Sequence, residues 1–414
     1  MLSVFYDSYC ILNKVYSEGA YLKQAISSVP VDPYNRSAVT KICYGTLDRD
    51  LVISYWISRL CDKSPKLAVR TVLKISMYCI KFLEKAPYAV TDTAVELLNK
   101  LGKKGVSGFV NAILRKFIVS EIALPDEKLK NLSLTYDFPE FAVQKLIDQF
   151  GEDGAVSIMS APAEKTCLRF RGVSGEEYLA KRRIDFEKTP YDNVFFADKF
   201  TRNEDYDKGL YTFQSIGSVA ICDAVSGGET LLDACAAPGG KSVLLSAKFK
   251  KVVSTELHEH RAELIREYAE RMRAENIEVK VCDASVFNPD FEEKFDAVLC
   301  DVPCSGFGVI KSNPDMKIKK TAETVSELKK IQKSILSVCS RYVKRGGALF
   351  YSTCTYFREE CDEVVKEFLK DNDGFTTRII SIKIPYKKTN FGYQMLPDIS
   401  FGAGFYISAL GRKE

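Results

Sequence analysis

One stretch of twelve residues constrains the fold of this chain more than any other. Residues 231–242 read LLDACAAPGGKS: an apolar run ends in Asp233, turns through small residues and two glycines, and enters a helix-like segment. Glycine in such a turn lets the backbone approach a ligand, and the N–H groups of the new helix point at that ligand. The stretch therefore predicts a nucleotide-type site at the carboxyl edge of a parallel sheet.

The chain from residue 209 onward alternates between strand and helix patterns at the spacing of βαβ units. The predicted strands lie at residues 230–233, 252–255, 279–282, 297–300 and 348–352. Between them, Leu264, Tyr268 and Met272 recur four apart and predict one face of a helix over residues 259–275. We expect a Rossmann-like α/β domain over residues 209–414, with a mostly parallel sheet covered on both faces.

The preceding chain divides into two further predicted domains. Residues 1–125 show helical periodicity throughout, and Pro125 followed by Asp126 suits a boundary. Residues 126–208 predict a small connecting α+β module, in which Arg169 and Arg171 on a strand either face the substrate or lie on a plain surface. Residues 1–125 hold 17 Lys and Arg against 10 Asp and Glu, and this surplus favours a polyanionic partner such as a nucleic acid.

Composition excludes several classes of protein. The N-terminus lacks a basic signal region, and no run approaches 18 apolar residues, so we expect a cytoplasmic protein that contacts no membrane. Thirteen cysteines in such a chain predict free thiols in a reducing compartment. His258 and His260 are the only histidines, which disfavours a zinc site or a Ser-His-Asp triad. We expect no metal and, for covalent chemistry, a cysteine nucleophile.

An acid closes each of the first four predicted strands. Glu256 lies 23 residues beyond Asp233, where an acid is expected to hydrogen-bond a ribose diol. Asp283 closes the third strand, where its carboxylate can meet an adenine amino group, and Asp301 closes the fourth. Helix N-capping explains any one of these acids as well, but four in succession favour a shared ligand site.

The glycine turn also has a less favoured interpretation as the phosphate loop of an NTPase. Residues 240–242 read GKS, as in that loop, and Asp301 would then hold magnesium. The phosphate-loop pattern requires glycine where this chain has Cys235, and Pro238 removes a backbone donor. The spacing therefore favours a different nucleotide ligand.

Two cysteines follow predicted strands of the same sheet. Cys304 comes after Asp301 and Pro303, and Cys354 follows the strand at residues 348–352. A buried, purely structural cysteine fits poorly here, because the neighbouring serine, threonine and glycine residues form loops rather than core. A thiolate beside a cation or a helix N-terminus is activated, so we expect two thiols at the ligand pocket.

These motifs together resemble a known family. LLDACAAPGGKS, TE, CDAS, DVPCSGFG and YSTCT are similar to the motif series of the Sun or Fmu-type RNA cytosine-5 methyltransferases, in their bacterial small-subunit ribosomal RNA branch. Residues 43–49 and 109–116, CYGTLDR and FVNAILRK, resemble the NusB-like RNA-binding domain. The resemblance implies methylation of carbon 5 of a cytosine in RNA, with 16S ribosomal RNA the favoured substrate and S-adenosylmethionine the methyl donor; separately, we expect a monomer. It implies that the donor is held by Cys235, Ala236, Ala237, Pro238, Gly239, Gly240, Lys241, Glu256, Asp283 and Asp301.

The same resemblance implies the catalytic roles. Carbon 5 of cytosine becomes nucleophilic only after a thiolate adds at carbon 6, and the family assigns that attack to Cys354 and product release to Cys304. Asp301 would steady the ring and Lys241 would orient the pocket. DNA cytosine-5 methyltransferases use the other cysteine as nucleophile, and spacing does not rank the two.

Two positions depart from the family pattern: Ser215 replaces an acid, and Ala403 stands in a run that usually contains one. A different class of function, an RNA-binding ribosome-assembly or transcription factor without catalysis, is disfavoured by the intact cysteine pair.

Overall fold

The computed structural model describes residues 1–197 and 200–414, which fall into two units. One unit comprises Met1–Ala155 and Ile310–Lys320, and the other comprises Val156–Val309 and Thr321–Glu414. Residues 126–155 thus group with the N-terminal helices and residues 156–208 with the C-terminal sheet, while the predicted three-domain division stays a prediction. No helix in these two described ranges is both long and apolar enough to cross a bilayer.

The N-terminal unit is helical, as its periodicity predicts. Its helices are α1 Leu2–Glu18, α2 Leu22–Ser28, α3 Arg36–Asp48, α4 Asp50–Leu60, α5 Leu67–Lys81, α6 Pro87–Lys100, α7 Ser107–Val119, α8 Lys128–Tyr136 and α9 Glu140–Ser160, the last interrupted at Gly151 and ending in the second unit. One continuous apolar core joins α1 to α7 and includes the stacked rings of Trp56 and Phe82. Gly45 lies where a Cβ atom would stand 1.9 Å from the Tyr78 hydroxyl, so the end of the Tyr78 side chain packs directly against the backbone of α3.

A short segment from far along the sequence completes the helical unit. The chain joins it over Ile310–Lys320 and returns to the second unit at Thr321. The Lys317 ammonium, whose side chain is 1% exposed, donates to the backbone carbonyl (2.7 Å) and the carboxylate (2.8 Å) of Asp48. Lys319 donates to the carbonyl of Ala20 (2.7 Å), and the Asp315 carboxylate accepts from the Leu22 N–H. Buried polar bonds therefore fix this segment.

The second unit contains two sheets, and its strands lie at β1 Cys167–Phe170, β2 Glu187–Lys188, β3 Val194–Phe196, β4 Tyr211–Phe213, β5 Gly228–Ala234, β6 Phe249–Glu256, β7 Ile277–Val281, β8 Phe295–Asp301, β9 Val343–Thr353, β10 Phe375–Thr377, β11 Lys387–Lys388, β12 Tyr393–Met395 and β13 Phe405–Arg412. The remaining helices of the chain are α10 Gly175–Lys181, α11 Glu204–Asp207, α12 Ile216–Ala224, α13 Gly240–Leu245, α14 Glu259–Arg271, α15 Met316–Lys319, α16 Ala322–Ser340 and α17 Asp362–Asp371. Short 3-10 turns lie at Lys104–Val106, Pro289–Phe291, Phe307–Ser312 and Arg358–Glu360.

The larger sheet has the strand order β11-β12-β13-β9-β8-β5-β6-β7, and β10 also pairs with β13. Its five strands from β9 to β7 are parallel, and all five correspond to predicted strands. The antiparallel strands β10 to β13 extend it at the β9 edge. The predicted Rossmann-like fold is therefore confirmed, as a mixed sheet whose parallel part is the larger continuous block.

The parallel strands β5, β6, β8 and β9 are buried on both faces over most of their length, as expected for such a sheet, whereas the edge strand β7 is partly exposed. Along β5, Leu231 belongs to one apolar cluster and Leu232 to the other, and the two clusters lie on opposite faces because successive side chains alternate. The helix prediction between β6 and β7 is right, but α14 buries Ala262, Ile265 and Ala269, whereas Leu264 is 45% exposed. Small residues on that face let the helix pack close to the sheet.

The smaller sheet is antiparallel, with strand order β2-β3-β1-β4. Together with α10 and α11 it forms an α+β element where the sequence indicates one, but its strand β4 lies beyond residue 208, in the range predicted for the α/β domain. Its aromatic core includes Phe170, Phe195 and Tyr211. The sheet is joined to the larger one through α12.

Candidate active site

The glycine turn lies between β5 and α13, at the carboxyl edge of the parallel strands. Ala236 N–H donates to the carbonyl of Thr255 (2.9 Å), which ties the turn to the neighbouring strand β6. Gly239 precedes α13 with φ +100°, a conformation that favours glycine, and a Cβ atom there would lie 3.2 Å from Ile265. The backbone is therefore held in the tight turn that the sequence predicts.

Asp233, the acid that closes β5, is wholly buried. Its Oδ2 accepts from the Ser242 hydroxyl at 2.5 Å, and that hydroxyl accepts in turn from Ser254 at 2.9 Å. Burial raises the pKa of the Asp233 carboxyl to about 7. Asp233 therefore holds the first turn of α13, and the expectation that it faces the ligand with the other three acids is wrong.

The next two acids lie at the ends of β6 and β7. Glu256 is 3% exposed; its Oε1 accepts from the N–H of Leu257 (3.0 Å), and its Oε2 lies 3.4 Å from Arg261. Asp283 Oδ1 accepts from both the N–H (2.8 Å) and the hydroxyl (2.6 Å) of Ser285. Both carboxylates are thus oriented by local bonds at the edge where the glycine turn lies, because β5, β6 and β7 are parallel neighbours.

Lys241 and Asp301 form an ion pair across the site. Lys241 Nζ lies 2.7 Å from Asp301 Oδ2, and the Ser352 hydroxyl donates to Asp301 Oδ1 at 2.7 Å. Burial acts to lower the pKa of Lys241, but the Asp301 carboxylate more than offsets this and raises it above its ordinary value. Lys241 is therefore a fixed cation, and Asp301 is held between strands β8 and β9.

These bonds decide between the two ligand classes that the glycine turn allows. A phosphate loop needs its lysine at the phosphates and its serine hydroxyl at magnesium. Here the lysine is committed to Asp301, and the serine hydroxyl donates to the buried Asp233. A turn flanked by the carboxylates of Glu256 and Asp283 suits hydroxyl and amino groups instead, and so fits the S-adenosyl donor implied by the motifs. No group of residues suited to a metal ion occurs in the ranges 1–197 and 200–414.

The two cysteines meet because β8 and β9 are parallel and in register. Asp301 pairs with Ser352, so the loops after these residues leave the sheet side by side. The sulfur atoms of Cys304 and Cys354 are 3.1 Å apart, and the Cys354 N–H lies 3.3 Å from the Cys304 sulfur. The hydrogen bond with the Cys354 thiol, together with burial, raises the pKa of Cys304. Cys304 therefore keeps its proton and can donate it towards the sulfur of Cys354.

Arg169 has a role that the sequence interpretation did not identify. It is 5% exposed, so it neither faces the substrate nor lies on a plain surface. Its Nε donates to the Gln214 side chain (2.8 Å), and Gln214 donates to the carbonyl of Gly240 (3.2 Å). Through Arg169 and Gln214, the smaller sheet is thus hydrogen-bonded to the backbone of the glycine turn. A buried arginine on a strand gives no local signal, because its partner is 45 residues away.

The two departures from the family motifs have structural explanations. Glu164 Oε1 accepts from both the Ser215 hydroxyl and the Ile216 N–H, each at 2.7 Å. Glu164 therefore supplies, at the start of α12, the carboxylate that residue 215 lacks. Ala403 is fully buried in the apolar cluster on one face of the larger sheet, where a carboxylate would be costly.

The chain matches two families of known proteins. Residues 220–411 match the family described as 16S rRNA methyltransferase RsmB/F, and residues 5–119 match the NusB family. A probable ribosomal RNA small subunit methyltransferase B of Bacillus subtilis (strain 168) is 33% identical, with 97% of this chain and 96% of the relative covered. A probable ribosomal RNA small subunit methyltransferase B of Synechocystis is 24% identical over 99% of each chain.

Solved structures share the fold at lower sequence identity. The crystal structure of PH0851 has a TM-score of 0.84 at 20% identity, covering 100% of this chain and 99% of that one. The structure of NSun6 from Pyrococcus horikoshii with SFG has a TM-score of 0.60 at 18% identity, covering 67% of this chain and 99% of that one. The likeness to PH0851 spans both units.

Proposed function

This chain belongs to the ribosomal RNA small subunit methyltransferase B family, and from that premise we propose that it methylates carbon 5 of a cytosine in 16S ribosomal RNA through a covalent bond from Cys354. Ribosomal RNA is the substrate of this methyltransferase, and S-adenosylmethionine is its methyl donor. The observation that supports the proposal best is the 3.1 Å separation of the Cys304 and Cys354 sulfur atoms beside the Lys241–Asp301 ion pair.

The proposed reaction begins with Cys354. Its thiolate adds to carbon 6 of a cytosine that has left the base stack, and the electron pair of the 5,6 double bond moves to carbon 5. Carbon 5 would then bond to the methyl group of a bound S-adenosyl donor as the methyl–sulfur bond breaks, and S-adenosylhomocysteine would leave. Asp301 faces the Watson–Crick edge of the base, and Lys241 fixes the position of its carboxylate through the 2.7 Å ion pair.

Release of the product requires the carbon 5 proton to leave. As that proton passes to a water positioned by Cys304, its bonding electrons re-form the 5,6 double bond, and the bond between carbon 6 and the Cys354 sulfur breaks. The Cys304 thiol, 3.1 Å away, donates a hydrogen bond to the departing thiolate. Cys304 thus assists departure, and Cys354 makes the covalent bond.

The donor pocket is proposed to consist of the glycine turn and three acids. Glu256 would hydrogen-bond the ribose diol and Asp283 the adenine amino group, as their positions after β6 and β7 suggest. The turn from Cys235 to Lys241 would surround the rest of the donor, with Asp301 at the boundary to the base. The NusB-like residues 1–125 would contact RNA, and the protein would act as a cytoplasmic monomer, a state that size-exclusion chromatography with light scattering tests.

Trapping experiments test the assignment of the two thiols. Each variant is incubated with transcribed 16S ribosomal RNA and S-adenosylmethionine, then run on a denaturing gel. We expect Cys304→Ala to accumulate a covalent RNA–protein complex, and Cys354→Ala to form none and to methylate nothing. Cys10→Ala, in α1, is the matched control and should behave as wild type. A complex with Cys354→Ala and none with Cys304→Ala would exchange the two roles.

The alternative of an RNA-binding factor without catalysis meets one specific difficulty. A binding protein has no use for two thiols 3.1 Å apart, half-buried, at the end of two neighbouring strands. Transfer of a radiolabelled methyl group to 16S ribosomal RNA separates the alternatives. Failure of the wild-type protein to transfer the label to either naked RNA or assembling subunits would favour the binding factor.

A further inference from the structure

A buried carboxylate outside the proposed reaction lies behind the two thiols. Glu360 is 0% exposed and ends the 3-10 turn that follows the Cys354 loop. Its Oε1 accepts from the N–H of Ser305 (2.8 Å) and from the side-chain amide of Gln332 (3.0 Å), and its Oε2 accepts from the Ser305 hydroxyl (2.5 Å). Burial raises the pKa of Glu360, whereas these donors favour the ionised form.

The partners of Glu360 hold the backbone on both sides of Cys304. Ser305 follows Cys304 directly, and the Gln332 amide that binds Glu360 also donates to the carbonyl of Pro303 at 2.9 Å. The residue before the cysteine and the residue after it are therefore fixed by one buried network. Pro303 has no N–H of its own, so its carbonyl is the backbone group through which that side of the loop can be held.

The same network reaches the loop of the other cysteine. The Ser305 hydroxyl lies 3.1 Å from the hydroxyl of Thr355, which directly follows Cys354. Glu360, Ser305, Gln332 and Thr355 are all 0% exposed. A buried network of this kind has little freedom, because a broken bond leaves a polar group without water. The buried network, and not only the contact between the thiols, therefore fixes the separation of the two sulfur atoms.

We propose that Glu360 is a positioning residue for the methyl transfer, which acts through Ser305, Gln332 and Thr355 to hold the Cys304 thiol against Cys354. This inference rests on the proposed function of the two thiols. Glu360 itself touches neither the substrate nor the donor.

The prediction is that Glu360 variants reproduce the behaviour of Cys304→Ala. Glu360→Asp withdraws the carboxylate by one methylene, and Glu360→Gln keeps the size but removes the charge. With 16S ribosomal RNA and S-adenosylmethionine, we expect both to bind the donor within about twofold of wild type. We expect both to release the covalent complex at least about tenfold more slowly, because displacement of a reacting group by a fraction of an ångström carries a cost of this order. Glu363→Gln, which breaks the surface ion pair with Lys329, is the control.

A double variant distinguishes positioning from general stability. If Glu360 acts through Cys304, Glu360→Gln combined with Cys304→Ala should release the complex no more slowly than Cys304→Ala alone. A further slowing in the double variant, or normal release by both Glu360 variants, would overturn the inference. Should Glu360→Gln fold poorly, Ser305→Ala removes the hydroxyl bonds alone and should show the same slow release. If Cys304→Ala itself traps no complex, the proposed roles of the two thiols fail. The Glu360 inference is then judged by the rate of methyl transfer to 16S ribosomal RNA, which Glu360→Gln should lower to the same extent as Cys304→Ala, and unequal rates would overturn it.

Discussion

Replacement of Asp233 by asparagine should destabilise the protein at acidic pH and stabilise it near neutral pH. The carboxyl is fully buried with its pKa raised to about 7, and within residues 1–197 and 200–414 no group hydrogen-bonds its Oδ1. An aspartate in an unfolded chain has a pKa of about 3.9. The folded protein therefore binds the Asp233 proton more tightly than the unfolded chain does.

The size and sign of the change in the free energy of unfolding follow from that difference in proton affinity. Between pH about 4 and about 7 the unfolded chain loses this proton first, so the free energy of unfolding of the wild type falls as the pH rises. A difference of about three pKa units at 1.36 kcal/mol each is worth about 4 kcal/mol. The asparagine does not titrate, but its amide places an unpaired donor where Oδ1 stood, at a cost of about 1 to 3 kcal/mol. Asp233→Asn should therefore be the less stable protein near pH 4.5 and the more stable one near pH 7.5.

Differential scanning calorimetry at pH 4.5, 6.0 and 7.5 measures this reversal. Asp290→Asn is the matched control, since it makes the same chemical change at an exposed position of the same unit. A difference between Asp233→Asn and wild type that stays constant from pH 4.5 to 7.5 would refute the reasoning, because it would mean that the buried carboxyl does not titrate in this range.

Three further outcomes are expected. In a thermal-shift assay, S-adenosylmethionine at 100 times its dissociation constant should stabilise the protein by about 2.7 kcal/mol, while ATP with magnesium should not. Glu256→Ala should abolish the stabilisation by S-adenosylmethionine. Stabilisation by ATP alone would restore the phosphate-loop interpretation. If Lys103 contacts a phosphate of single-stranded RNA, Lys103→Ala should lower the log–log salt slope of RNA binding by about 0.7, and an unchanged slope would remove that residue from the interface. Lys317→Ala should lower the free energy of unfolding of the helical unit by about 3 kcal/mol, measured through the fluorescence of the single tryptophan. The control Lys320→Ala should change that free energy by less than about 0.5 kcal/mol.

The sequence predicts the central sheet well because its signals are local. Four of the five parallel strands contain a short apolar run, the fifth, β7, alternates apolar and charged residues as IEVKV, and glycine at position 239 marks a turn that few other residues allow. The proximity of Cys304 and Cys354 also follows from the pattern, since both cysteines lie just beyond strands that turn out to be neighbours. The resemblance to known methyltransferases adds their proposed roles.

The sequence fails where a side chain's partner is distant. Asp233 and Glu256 look alike as acids at strand ends, but only the fold reveals that a serine from the next helix covers Asp233. Glu360 sits among charged residues that suggest a solvent-facing helix start, and its partner Ser305 is 55 residues earlier. Leu264 follows the apolar spacing of its helix, yet the smaller alanines of that helix pack on the sheet. Long-range packing of this kind leaves no periodic trace.

The segment Ile310–Lys320 has a consequence for how the protein is made. The ribosome finishes residue 155 well before residue 320, and at about 5 to 20 residues per second the intervening stretch takes roughly 8 to 33 s to synthesise. During that interval the helical unit lacks the ammonium of Lys317 that Asp48 receives in the finished fold. Its first nine helices therefore emerge as an incomplete body, which matures only after most of the second unit has been translated. A protein truncated between residues 155 and 310 would therefore contain the first part of the helical unit without its Ile310–Lys320 segment.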